Sequence, residues 1–268
     1  MNPLKRHIRR WLAKTNIINP FNKPFNNIEF ETTNYCNRKC VYCPNSKYDR
    51  TALFGNKFMS QEIFDKLVSD LKEMDFKGII SPHLYGEPLT DKRLPRWTAA
   101  LKQSLPHSII RIVTNADFLD DNIYTELINC GVDIFNISKH GNTLSQGFLN
   151  LYNGLSIKEQ KKRFIIIDYY ENYNQSQNLF FNRGGEIPLK KPKRHPSCCI
   201  YVTYPVLNSN GDVILCCNDY QNSHICGNIL ERSLTEIWQD KKNINLRRRI
   251  FKGYFDLPIC KNCWESLD

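Results

Sequence analysis

The sequence predicts an α/β protein: a parallel sheet or partial barrel, followed by a smaller unit made of a β-hairpin and a helix. Three observations point there. Strand-like and helix-like stretches alternate from residue 27 to about 170. The alternation stops at 171–197, a stretch rich in Asn, Gly, Pro and Lys. A turn signal, NSNGD, then separates two apolar runs.

The elements follow in order. NIEFETT reads as the first strand. SQEIFDKLVSDLKEM (60–74) reads as a helix, capped by Ser60, with Ile63, Phe64, Leu67 and Leu71 on one face. GIISPHLYGEP (78–88) is a strand running into a loop, RLPRWTAALKQSL a helix and SIIRIVTN (108–115) a strand. DDNIYTELINCG (120–131) is a helix stopped by Gly131, and VDIFNIS (132–138) the next strand. A helical stretch near 156–163 leads to FIIIDYY (164–170), another strand. YVTYPVL and VILCC flank the NSNGD turn, SLTEIWQDKKNINLRRRIF reads as one helix, and the chain closes with CKNCWESLD. The expected organisation is a basic arm at 1–27, a core at 28–185 and a C-terminal unit at 186–268.

The net charge of +10 is local. Six Lys/Arg and no acid lie in residues 1–25, four in KKPKR (190–194) and three in RRR (247–249). These are expected to be solvated basic segments. No nucleic-acid-reading motif accompanies them, so no nucleic-acid partner is expected. The N-terminal segment can form an amphipathic helix with Leu4, Ile8, Trp11 and Leu12 on one face. There is no apolar run of about eighteen residues and hence no membrane span. No signal peptide is read. Eleven cysteines without an export signal suit a reducing cytoplasm, where thiols ligate metals or clusters.

TTNYCNRKCVYCPNS places Cys36, Cys40 and Cys43 in a C-x3-C-x2-C array just after the first strand. Thiolates suit iron–sulfur clusters and zinc. The residues that follow offer no Cys or His to close a zinc site. A [4Fe–4S] cluster with one open iron is the better match. A second set comprises Cys198, Cys216 (after Gly211-x4), Cys260 and Cys263. These four could hold a cluster or a structural zinc. Cys199, Cys217 and Cys226 compete for places, Cys226 most directly, and Cys130 reads as a core residue.

C-x3-C-x-Φ-C, with Tyr42 as the aromatic, and LYGEPL at 84–89 together resemble the radical S-adenosylmethionine (radical SAM) superfamily. The resemblance implies a partial (β/α) TIM-like barrel whose cluster chelates S-adenosyl-L-methionine (AdoMet). It implies AdoMet contacts from Tyr42, from Gly86, Glu87 and Pro88, and from Asn115 and Ser138 at two strand ends. The family's GGEP loop reads Tyr85-Gly86-Glu87-Pro88 here, departing at the first Gly. The second cysteine set resembles SPASM and twitch extensions. Only five residues follow Cys263 and none is cysteine, so one auxiliary [4Fe–4S] cluster of the twitch type is implied.

From about residue 28 to 265, motifs including VTNADFL, FNRGG, GDVILCCNDY, CGNI and LTEIW resemble the radical SAM aminocyclitol dehydrogenases. That resemblance implies oxidation of a secondary alcohol of a sugar or cyclitol to a ketone. The radical removes the carbinol hydrogen, and the auxiliary cluster accepts the remaining electron. It places Arg183 at the substrate hydroxyl, as an electrostatic stabiliser rather than a base. Asn218 stands where those enzymes carry a substrate-binding glutamate, followed by Asp219, so an ammonium-bearing substrate is not implied. His140 is a further substrate candidate. The implied partners are a small sugar, cyclitol or nucleotide-sugar and a flavodoxin- or ferredoxin-type electron donor. The alternatives are a radical SAM peptide-modifying enzyme, an epimerase or crosslinker, and a non-enzymatic iron–sulfur or zinc protein.

Overall fold

A computed structural model describes residue 21 and residues 25–177, 179–189 and 199–264. The amphipathic reading of the N-terminal segment, the KKPKR run and Cys198 lie outside the described residues. Five strands are parallel: β1 (Asn27–Phe30), β2 (Ile79–Ser81), β3 (Ile109–Thr114), β4 (Ile134–Lys139) and β5 (Phe164–Asp168). They lie side by side in the order β5-β4-β3-β2-β1. Helices run between them: α1 (Arg50–Phe54), α2 (Gln61–Glu73), α3 (Leu94–Ser104), α4 (Asp121–Asn129), α5 (Gln146–Gly154) and α6 (Ile157–Arg163). The result is the α/β partial barrel that the alternation predicts.

Local rules explain the helix starts. The hydroxyl of Ser60 accepts from Ile63 N at α2, Asp120 from Ile123 N at α4 and Ser156 from Glu159 N at α6. Ile63, Phe64, Leu67 and Leu71 are buried as the α2 periodicity requires, and Phe64 stacks on Trp97 of α3 at 4.2 Å. The apolar core lies on one face of the sheet, with Ile28, Phe30, Ile80, Ile110, Ile112, Phe135 and Ile137 fully buried. The other face is polar. Glu29 pairs in register with Ser81, whose hydroxyl accepts from Arg111 Nε at 3.0 Å, and Val113 registers with Asn136. A parallel sheet normally buries apolar side chains on both faces. The polar inner face therefore marks a chamber rather than a packed core.

The C-terminal unit continues this sheet. β6 (Val206–Leu207) pairs parallel to β1, and β7 (Asp212–Ile214) and β8 (Ile225–Asn228) add antiparallel strands. The sequence reading stopped at a two-stranded hairpin; β8, ICGN, is a third strand. Of YVTYPVL only the last two residues join the ladder, while Ile200–Val202 forms a 3-10 turn. FIIIDYY also ends early as a strand. Asp168 accepts from Glu171 N and starts α7 (Tyr169–Gln175). SLTEIWQDKKNINLRRRIF is two helices, α8 (Leu234–Gln239) and α9 (Lys241–Phe251), because Asp240 caps Lys242 N and Asn243 N. α10 (Pro258–Trp264) carries the last cysteine pair.

The RRR run is not uniformly solvated. Arg247 is buried, with its guanidinium 3.6 Å from the Trp238 ring centroid and donating to Trp238 O. No described helix is long and apolar enough to cross a membrane.

Candidate active site

Cys36, Cys40 and Cys43 sit half-buried on the loop after β1 and line one cavity of about 200 Å³. The loop is pinned at both ends. Arg38 donates twice to Asp117, Nε to Oδ2 at 2.7 Å and Nη2 to Oδ1 at 2.5 Å. Asn37 donates to the same carboxylate at 2.7 Å and accepts from Asn115 at 2.9 Å. Beyond Cys43 a 3-10 turn, Pro44–Ser46, leads to α1, where Arg50 forms a fully buried ion pair with Glu31. Burial pushes the Cys36 thiol up to about 12 and Cys40 up to about 11. Ligation to iron is what removes such protons, because the cation stabilises the thiolate directly.

Across the cavity runs the loop after β2. A Cβ on Gly86 would lie 1.8 Å from Thr33 O, so only glycine fits this approach. Glu87, 3% exposed, accepts from Thr114 Oγ1 at 2.6 Å, Asn115 N at 2.9 Å and Leu89 N at 3.1 Å. Three bonds leave one of the roughly four acceptor positions of a carboxylate for a ligand. Burial raises this carboxyl to about 7. Ser138 and His140 line the same space at the end of β4, and Tyr42 Oη bonds His140 Nδ1 at 2.8 Å. Burial lowers His140 to about 4, so the ring is neutral at neutral pH.

Arg183 closes the cavity from the far side. It has φ 53°, followed by Gly184 at 72° and Gly185 at 96°, a left-handed turn that disfavours Arg. The turn is held by Asn182 Nδ2 donating to Asn262 O of α10 at 2.5 Å. Arg183 Nη1 donates to Asn218 Oδ1 at 3.1 Å and lies within 3.4 Å of Cys217 O. Behind Asn218 is a smaller cavity lined by Cys199, Cys216, Cys260 and Cys263. Arg183 thus stands between the two thiol sets.

Most sequence-derived candidates converge: Cys36, Cys40, Cys43, Tyr42, Gly86, Glu87, Asn115, Ser138, His140 and Arg183 share one cavity. Pro88 does not line it; it opens the 3-10 turn Pro88–Thr90 beside it. Asp219, offered as a substrate candidate, is elsewhere. Its carboxylate accepts from Ser223 N, Ser223 Oγ and His224 N and is fully buried in that turn. Cys199 lines the auxiliary cavity, whereas Cys226 lies apart from it, its carbonyl accepting from Asn243 of α9. The sequence reading missed Asn37, Arg38, Asp117 and His83. NADFL, after β3, held the signal for Asp117: an acid one residue past a strand-end turn, within reach of a basic loop.

The donor sets fit iron–sulfur clusters by chemistry: soft thiols, three half-buried on one loop, with Cys199, Cys216 and Cys260 buried and Cys263 half-buried around the second cavity. Among the described residues no three His, Cys, Asp or Glu are close enough to share a single metal ion.

Comparison with known proteins agrees with this donor chemistry. Residues 30–159 match the radical SAM superfamily model and residues 198–264 the SPASM model, an iron–sulfur cluster-binding domain. The latter replaces the zinc alternative. The S-adenosyl-L-methionine-dependent 2-deoxy-scyllo-inosamine dehydrogenase of Niallia circulans is 31% identical over 245 residues, covering 90% of this chain and 93% of that protein. The crystal structure of BtrN in complex with AdoMet and 2-DOIA superposes with a TM-score of 0.79 at 29% identity, covering 91% of this chain and 94% of that one. BtrN in an open conformation gives 0.68 at 26% identity over the same shares. AdoMet-bound anSMEcpe, at 13% identity and TM-score 0.58 over 84% of each chain, shares the fold. With its thiol loop, its Glu87 cavity and these matches, the chain belongs to the radical SAM superfamily as an AdoMet-dependent iron–sulfur enzyme with a C-terminal SPASM-type domain.

Proposed function

We propose that this enzyme oxidises a secondary alcohol of a sugar- or cyclitol-type substrate to a ketone. The observation that carries this is the position of Arg183. Its guanidinium lies in the cavity of the first thiol set and bonds Asn218, which lines the cavity of the second. Cys36, Cys40 and Cys43 would hold a cluster, and Glu87, Asn115 and Ser138 would hold AdoMet; when bound these would supply a hydrogen-abstracting radical, and an auxiliary cluster would supply an electron sink. The chain's own residues do the rest. Arg183 holds a fixed positive charge where the substrate hydroxyl loses its proton. Tyr42 and His140 form a neutral wall beside Ser138. Tyr85 Oη, donating to Cys217 O at 2.7 Å, fixes the segment between the two thiol sets. Cys216, Cys260, Cys263 and one of Cys198 or Cys199 would hold the auxiliary cluster. The domain limits 28–185 and 186–268, a flavodoxin- or ferredoxin-type donor and a cytoplasmic setting complete this reading.

The test uses reconstituted enzyme and a polyol deuterated at the carbinol carbon. Deuterium should enter 5′-deoxyadenosine with one ketone formed per AdoMet consumed. Cys36→Ala should abolish AdoMet cleavage, while Cys216→Ala keeps uncoupled cleavage and loses ketone. Normal ketone formation by Cys216→Ala would remove the auxiliary site from the mechanism.

A further inference from the structure

The polar inner face of the barrel carries an arginine that the reaction above does not use. Arg111 lies on β3 two residues before Val113, hence on the same strand face, and Val113 lines the active-site cavity. Nε of Arg111 donates to Ser81 Oγ at 3.0 Å and Nη2 to Asn27 Oδ1 at 3.2 Å. Nη1 makes no hydrogen bond among the described residues. Glu29 Oε1 stands 3.9 Å from Nη2, too far for a hydrogen bond.

Arg111 and Arg183 both act on Glu29 and on His83, so the four groups share one neighbourhood. Burial and the two arginines lower His83 to about 3, which makes it neutral. Glu29 is the carboxylate within ion-pair distance of Arg111, while Arg183 stands near the Cys43 and Cys217 thiols as well. Unpartnered buried atoms mark the same region: His83 Nδ1, in the cavity lining, and Asn136 Oδ1, in register with Val113. Buried polar atoms of this kind normally have partners, from protein, water or ligand.

We propose that Arg111 binds an anionic group of the substrate, a carboxylate or a phosphate, while His83 and Asn136 take its hydroxyls. The inference rests on the alcohol-oxidation reading and narrows its substrate class to acidic polyols. The guanidinium fork matches either anion, and its unused Nη1 supplies the donors. An ammonium at the same place would meet the Arg111 guanidinium and be repelled.

The experiment is a calorimetric titration of reconstituted, AdoMet-loaded enzyme with four matched probes: glucose, glucosamine, glucuronate and glucose 6-phosphate. At least one acidic probe should bind about ten- to a hundredfold more tightly than glucose, with glucosamine weakest. Which acid wins distinguishes carboxylate from phosphate. Arg111→Gln should erase the advantage and Arg111→Lys retain part of it; iron content reports whether each variant is intact. Equal binding of glucose and both acids, a preference for glucosamine, or an acid advantage unchanged in Arg111→Gln would overturn the proposal. Ketone formation is read separately in the same mixtures. Arg111-dependent acid binding with no probe oxidised would leave the subsite standing and remove the oxidation reading. Preferential oxidation of glucosamine would do the reverse.

Discussion

Arg50→Met should cost far more stability than its place on a short surface helix suggests. Arg50 and Glu31 have 0% side-chain exposure and meet through two parallel bonds, 2.9 and 3.0 Å. Arg50 Nη1 also donates to Tyr220 O at 2.5 Å, and the guanidinium lies 4.4–4.8 Å from the rings of Phe54, Tyr85 and Tyr220. Removing it strands the Glu31 carboxylate with one remaining donor, Tyr85 N at 3.2 Å. An uncompensated buried charge costs about 3–5 kcal/mol, a large share of the roughly 5–15 kcal/mol that holds a domain together. Arg50→Met combined with Glu31→Gln removes the charge and keeps an acceptor for Tyr85 N. The double variant should therefore be more stable than the single one, by about 1–3 kcal/mol. Urea unfolding of wild type, both single variants and the double variant measures the cycle. Arg50 sits just after the cysteine loop and Tyr85 just before Gly86, so iron loading should fall in parallel with stability. A single-variant cost under about 1 kcal/mol, or a double variant no better than the single, would refute the account.

Gly86→Ala should abolish AdoMet binding while the chain still folds, because the new Cβ meets Thr33 O at 1.8 Å and must displace the Glu87 loop; equilibrium dialysis with labelled AdoMet reads this. Glu87 has a folded-state value of about 7, raised from 4.5, so it binds its proton more tightly folded than unfolded. Its contribution to stability is therefore lost as pH rises from about 4.5 to about 7. If Glu87 accepts from the methionine amino group of AdoMet, the ionised carboxylate is the better acceptor, so AdoMet should bind more tightly as pH rises through 7, and Glu87→Gln should flatten that profile. Cys199→Ser should lower the iron held by the C-terminal cysteines while Cys226→Ser leaves it unchanged; unaltered iron in Cys199→Ser would return the fourth place to Cys198.

The parts of this molecule that were legible in its sequence are those governed by neighbours in the chain. Ser60, Asp120 and Ser156 cap helices because a side-chain oxygen reaches an amide three residues on, a purely local relation. The cysteine loop was legible for the same reason, since its spacing is itself the constraint. What escaped depends on distant chain. The two-residue strand β6 exists because β1, far earlier in sequence, offers it an edge. β8 carries Gly227, which closes against Ile237, a contact invisible to periodicity.

The active site shows the same division with a functional consequence. Glu87 was legible as part of a motif, but its setting was not: two of its three bonds come from the end of β3. Arg111 was hidden more deeply. In SIIRIVTN a lone arginine between isoleucines reads as a strand residue turned to solvent. Only the register of β1, β2 and β3 turns it inward, beside Glu29 and Ser81. A charged residue on the inner face of a parallel sheet is costly unless something meets it. In this chain its neighbours meet only part of it, and the remainder is what a substrate can use.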